Sequence, residues 1–142
     1  GKKYIGVSSL WAIFNMKTRR PDSLKIDTSH VERYPDRHAT NFPNRKLSSD
    51  FVVTESYEYT VQFSDLDIVR HANNVKYLEW CLNHVNVDLI LNNRIKAIDL
   101  NFIKELALED KIIIAKGIDE NRIFFKILKD DVVCFVCEFE IA

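Results

Sequence analysis

The run from Phe63 to Trp80, FSDLDIVRHANNVKYLEW, concentrates the side chains of this chain that could do chemistry. Asp65 and Asp67 close an alternating stretch, His71 follows four residues after Asp67, and Asn73 and Asn74 open a helical pattern. A carboxylate can act as general base on water or attack directly. A neighbouring histidine can orient it or exchange protons with it. A helix N-terminus adds N–H groups without intrahelical partners and the positive end of a dipole, both suited to a developing oxyanion. Such a set fits hydrolysis of an activated acyl group, a thioester for example, and calls for no metal or cofactor. Asx residues favour turns and helix caps equally. On residue types alone, Asp65, Asp67 and Asn73 therefore suit a turn and a cap as well as a reaction, and His71 alone suits a hydrogen-bonded turn.

The surrounding pattern says what must position these groups. Tyr57, Tyr59, Val61 and Phe63 alternate with Glu58, Thr60 and Gln62, which predicts a strand with one buried face. Val75, Leu78, Leu82, Val85 and Leu89 recur at helical spacing, which predicts a single helix of about five turns ending in a left-handed cap at Asn92-Asn93. Strands are predicted at 95–107, 110–118, 122–129 and 132–141, in meander, with hairpin turns at Gly117–Asn121 and Lys129–Asp131. An apolar helix must lie on a sheet, and this is the sheet on offer. The expectation is an α+β hot-dog fold, a long helix wrapped by a curved antiparallel sheet. Trp80 and Tyr77 read as core or interface residues.

Upstream, residues 4–16 read as one strand with apolar side chains on both faces, Leu10, Ala12, Phe14 and Met16 against Trp11 and Ile13, ended near Pro21. Residues 22–50 lack a period and read as a connector with a short helical turn at Ser29–Glu32, pinned by Leu24, Ile26, Tyr34 and Phe42. The chain has 142 residues, 46% of them hydrophobic, which suffices for a real core. No apolar run approaches the roughly 20 residues of a bilayer span. A formal net charge of −1 argues against a general nucleic-acid binder. The apolar start is followed by no small-residue cleavage site, so no signal peptide is read. Cys134 and Cys137 have CxxC spacing, but residues three apart on a strand face opposite ways, so packed thiols are expected rather than a metal grip. Three cysteines without a framework suit a reducing cytoplasm. His30, His38 and His84 read as surface or connector residues.

The central stretch resembles the motif of the acyl–acyl carrier protein thioesterases, S-D-L-D-x-N-x-H-x-N-N-V-K-Y. Here it reads Ser64-Asp65-Leu66-Asp67-Ile68-Val69-Arg70-His71-Ala72-Asn73-Asn74-Val75-Lys76-Tyr77. Ser8 to Arg20, SSLWAIFNMKTRR, is similar to the family's S-x-W-V-x-M-N-x-x-T-R-R segment, and Leu100 to Glu105, LNFIKE, to its L-x-Y-x-x-E segment. The family carries two hot-dog domains in tandem. The resemblance implies that 1–20 is the last strand region of a first domain, 21–50 the interdomain connector and 51–142 the second, catalytic domain. It implies hydrolysis of fatty acyl-[acyl carrier protein] in fatty acid biosynthesis, with Glu105 as the base and Asp67 and His71 orienting it. Asp67 as the base is the other division of labour.

Two positions depart from the family pattern. The motif's middle Asn is Val69 here, which cannot donate a hydrogen bond. The cysteine that follows the glutamate in the plant enzymes is Leu106, so a cysteine nucleophile is excluded there. Val69 favours an alternative, a non-catalytic acyl- or carrier-binding hot dog; a dehydratase is a third reading that the double-Asn motif opposes. Asn73, Asn74, Arg70 and Lys76 are the candidate substrate contacts, Arg70 and Lys76 toward the carrier or its phosphopantetheine. Lys17, Arg19, Arg20, Arg45 and Lys46 are weaker carrier candidates, read first as a solvated face. Strand 4–16 is expected to be covered by homodimerisation or by docking across the sheet edge, a homodimer being the default, in a bacterial cytoplasmic setting.

Overall fold

The computed structural model describes residues 5–15, 17–18, 20–23, 25–40, 43–92 and 94–142. They fall into two units, Gly1–Arg45 and Lys46–Ala142.

In the first unit the described residues 5–13 form no strand. Phe14–Asn15 (β1) is a strand, and it pairs antiparallel with Arg20–Pro21 (β2). Ile5, Val7, Leu10 and Trp11 are all exposed. Among the described residues the single strand expected over 4–16 is thus replaced by a short hairpin, a strand being formed where a neighbour takes its hydrogen bonds, here Arg20–Pro21. Ser29–Glu32 is not helical but a turn closed by Val31 N–H donating to Thr28 O at 3.0 Å. Tyr4 and Met16, the remaining members of the expected strand, together with Arg19, Leu24 and Phe42, lie outside the described residues.

The second unit holds Glu55–Thr60 (β3), Asn74–Leu82 (α1), Val87–Leu91 (α2), Ile95–Phe102 (β4), Lys111–Asp119 (β5), Arg122–Lys129 (β6) and Val132–Ile141 (β7). Among the described residues they build a five-stranded antiparallel sheet in the order β3-β5-β6-β7-β4. Tyr77, Trp80, Cys81 and Val85 of the helical segment pack with Ile112, Ile114, Phe125, Ile127, Phe135, Cys137 and Phe139 of the sheet in one buried cluster. This is the expected hot-dog arrangement, a helix laid on one face of an antiparallel sheet.

Several expectations are corrected. The single long helix is two short ones. His84 N–H and Val85 N–H donate to Cys81 O and Leu82 O, each at 3.0 Å, which tightens the turn, and the Asn86 side chain then accepts from Asp88 N–H to cap α2. An Asn side chain that competes for backbone donors favours such a restart over a continuous helix. The apolar period survives the break because Val85 and Leu89 still reach the core. Asn92, which ends α2, has φ −92°, so it is not a left-handed cap; Asn93 lies outside the described residues.

Only β5, β6 and β7 form a meander. β4 pairs with β7 at the far edge, so residues 103–110 cross from one side of the sheet to the other. The expected strand 95–107 ends at Phe102, where Ile103 and Lys104 N–H both turn onto Cys134 O, at 2.9 and 3.0 Å. Periodicity reveals strands and not their partners, which is why this crossing went unread. Phe63 also leaves the predicted buried face. It is 82% exposed because Gln62 and Asp65 cap a 3₁₀ turn over Phe63–Asp65.

Cys134 and Cys137 are buried free thiols, yet both join the same core cluster as Cys81. A register shift opposite Ile127 and Leu128 breaks the strand alternation beside Cys134. Burial raises the pKa of both thiols, with a Cys81 hydrogen bond adding to the effect at Cys137.

The sheet's other face is crossed by residues 46–54. Leu47 N–H donates to Asn101 Oδ1 at 2.6 Å, Lys126 Nζ to Ser49 O at 3.0 Å, and Thr54 N–H to Lys116 O at 2.8 Å. Phe51 stacks on Phe124 at 5.5 Å. Gly117 lies beneath this strap: a Cβ there would come within 2.5 Å of Val52 O and 2.6 Å of the Phe51 ring, so any larger residue would force the strap away.

Candidate active site

Two loops meet at the first turn of α1. One runs from Asp67 to His71. Leu66 and Ala72 pair as an isolated bridge, and Asp67 N–H donates to His71 O at 2.8 Å, which closes a tight loop. The Asp67 carboxylate lies inside it, Oδ1 accepting from Val69 N–H at 2.9 Å and from His71 N–H at 3.2 Å. Hydrogen bonds to an ionised acceptor contribute about 1.5–3 kcal/mol each, which is enough to fix so short a loop. Arg70 completes it at φ 66°, a left-handed conformation unusual outside glycine and Asx residues.

The other loop is the crossing segment 103–110. His71 pairs with Ala107 in a second isolated bridge, and Ala72 N–H donates to Leu106 O at 2.7 Å. This two-residue pairing sets Glu105 beside His71, with Nδ1 3.7 Å from Glu105 Oε2. The side chains are 42% and 61% exposed, so their mutual attraction is worth only about 0–1 kcal/mol. Backbone pairing, and not charge, is what holds them together. The separation exceeds a hydrogen bond.

The Glu105 loop is anchored from below. The hydroxyl of Tyr77, a residue 2% exposed on α1, accepts from Leu106 N–H at 2.9 Å and donates to Lys104 O at 3.4 Å. Burial pushes this hydroxyl up to about 12, so it keeps its proton at neutral pH. Downstream, Asp110 accepts from Ala107 N–H at 2.9 Å and from Lys129 Nζ at 2.6 Å.

The remaining candidates are placed as follows. Asn73 is the N-cap of α1, its Oδ1 accepting from Val75 N–H at 3.0 Å, and Asn74 is the first helical residue, exposed. Arg70 is exposed on the loop. Lys76 pairs with Glu79 at 2.8 Å on the helix surface. Asp65 is buried, holding Tyr59 OH and Gln62 N–H at 2.8 Å each, so it braces the turn beneath the helix. The structure thus brings His71 and Glu105 together and puts Asp67 behind His71. Asp67 binds the loop backbone, and no contact between it and Glu105 is seen among the described residues. His84 is not a plain surface residue: it is half-buried and stacks on Tyr57 with ring centroids 3.6 Å apart, and burial lowers its pKa. The residues missed as site components are Tyr77 and Asp110. A polar tip on an otherwise apolar helix stripe is the signal that could have marked Tyr77.

With this geometry established, comparison with known proteins is direct. Residues 49–133 match the family described as the acyl-ACP thioesterase C-terminal domain. Acyl-[acyl-carrier-protein] hydrolase FATB3, chloroplastic, of Cuphea viscosissima is 30% identical over 112 residues, 74% of this chain and 27% of that protein. The structure of an acyl-ACP thioesterase from Bacteroides thetaiotaomicron superposes with a TM-score of 0.70 at 20% identity, covering 91% of this chain and 53% of that one. The 12:0-ACP thioesterase from Umbellularia californica gives 0.71 at 17% identity, covering 91% and 52%. The chain therefore spans about half the length of these solved structures and less than a third of the first curated relative. The matched residues take in both loops and the helix between them, and the chain belongs to the acyl-ACP thioesterase family through its C-terminal domain.

Proposed function

We propose that this chain carries the catalytic domain of an acyl-[acyl carrier protein] thioesterase, which hydrolyses the thioester of a fatty acyl chain on its carrier and releases the free acid. The observation that carries the reading is the approach of His71 Nδ1 to Glu105 Oε2 at 3.7 Å, on two loops joined by the His71–Ala107 bridge. Glu105 takes a proton from water as the water oxygen bonds to the acyl carbon. The C–S bond then breaks, and the departing sulfur receives the proton from Glu105 or through His71. One water and one thioester give one acid and one thiol. His71 orients Glu105, and Asp67 fixes the loop that presents His71. Asn73 and Asn74 at the helix start, with Arg70 and Lys76, contact the acyl group and the phosphopantetheine arm.

The domain reading belongs to the same proposal: residues 1–20 are the tail of a preceding hot-dog domain, 21–50 the connector and 51–142 the second domain. The coverage of about half of each solved relative supports it. The test is free-acid release from acyl-carrier substrates by the full polypeptide. Replacing a group that transfers protons should lower kcat by about 10²–10⁴ in Glu105→Gln and His71→Ala. Unchanged turnover in both removes the mechanism.

Val69 favours a second reading, a domain that binds acyl carrier without cleaving it. Its side chain is 64% exposed beside His71 and offers no hydrogen bond where the family motif has Asn. Carrier binding with no released acid decides for that reading.

A further inference from the structure

Glu105 lies on a loop, is largely exposed, and is flanked by residues without regular structure. The placing of such a side chain starts from its backbone. The backbone on both sides of it is gripped by a single atom: the Tyr77 hydroxyl takes the N–H of Leu106 and gives its proton to the carbonyl of Lys104. The two peptide groups flanking one residue are thus joined through one oxygen.

That oxygen is itself rigidly held. The Tyr77 ring packs against Phe102, Phe135 and Trp80, at centroid distances of 5.6, 5.4 and 5.3 Å. Tyr77 stands one turn below Asn73, which caps the helix beside His71. Helix start, His71 loop and Glu105 loop therefore share one fixed reference point. Leu106 is fully buried, so its N–H has no access to water as a substitute acceptor.

We infer that Tyr77 is a positioning residue for Glu105, its hydroxyl clamping the peptide groups on either side so that the carboxylate faces His71. The inference rests on the assignment of Glu105 as the base. Tyr77→Phe in the full polypeptide keeps the ring and its packing and removes only the clamp. A base displaced by about 1 Å can cost up to 10²-fold in rate, so kcat should fall roughly tenfold to a hundredfold with KM little changed. Exchange of the Leu106 amide, followed by NMR, should quicken roughly tenfold, while amides of β6 and β7 stay protected.

The discriminating measurement is the same substitution in a Glu105→Gln background. A clamp that works through Glu105 has nothing left to position there, so residual hydrolysis should not drop further. An equal loss in both backgrounds, or full kcat in Tyr77→Phe, overturns the inference. If Glu105→Gln alone keeps its turnover, the assignment of Glu105 as the base fails instead. The clamp is then judged by the Leu106 amide, and an unchanged exchange rate overturns it.

Discussion

The loops carrying His71 and Glu105 are secured in opposite ways. Residues 67–71 are fastened from within: the Asp67 carboxylate binds two amides of its own loop, and the loop closes on itself. Residues 103–110 are fastened mainly from outside, by Tyr77 on the helix and by Lys129 of β6, which holds Asp110 in place. The first loop is close to a cassette, since the bonds that close it lie within 67–71 and its end at His71 reaches across to Ala107. The second depends on contacts formed only once helix and sheet have docked. The His71–Glu105 pair joins a local element to a tertiary one, so its geometry reports whether the whole domain is assembled.

Among the groups that fasten the two loops, the largest effect should come from emptying the cassette. Asp67→Ala leaves Val69 and His71 N–H without their acceptor, and kcat should fall about a hundredfold. Asp67→Asn keeps a side-chain carbonyl oxygen at the same place and should stay within about tenfold of the parent. If Asn is as damaging as Ala in free-acid release, the charge of Asp67 matters more than its grip on the loop, and the comparison needs redrawing.

A smaller effect is expected at the outer anchor. Asp110→Ala removes the acceptor of Ala107 N–H and Lys129 Nζ, and should cost about 1–2 kcal/mol in chemical denaturation, with a kcat drop of about tenfold or less. Its amide shift changes should concentrate at 105–110 and spare 67–70. Changes spread equally over both loops would show that the two are not held independently.

The smallest effect separates the anchors by pH. The Tyr77 hydroxyl is raised from 10.0 to about 12 by burial. The folded state prefers the neutral phenol, so its contribution is complete below pH 10 and is lost as pH rises toward 12. Denaturation midpoints across pH 8 to 11.5 should therefore fall less steeply for Tyr77→Phe than for the parent. Parallel curves would mean that the phenol's ionisation is not linked to folding.

The same contrast explains what the sequence made legible. Asp67, His71 and the Asn73 cap lie within seven residues, so type and spacing drew attention to them, and the resemblance favoured a reaction over a turn and a cap. The hot-dog pattern of one apolar helix and alternating strands was equally plain. Glu105 became a candidate only through resemblance, because nothing local connects it to His71. The strand order that carries 103–110 across the sheet leaves no periodic trace. Tyr77 occupied a core position, and its hydroxyl could not be matched to a partner 29 residues away. The continuous helix was overcalled because the apolar stripe runs straight through the break at 83–86, where side-chain capping by Asn86 outweighs it.

The strap over Gly117 has a consequence for any larger assembly. One broad side of the sheet is already occupied by the chain's own residues 47–54, fixed at both ends and stacked in the middle. A neighbouring molecule or domain approaching from that side would have to peel this segment off before reaching the strands.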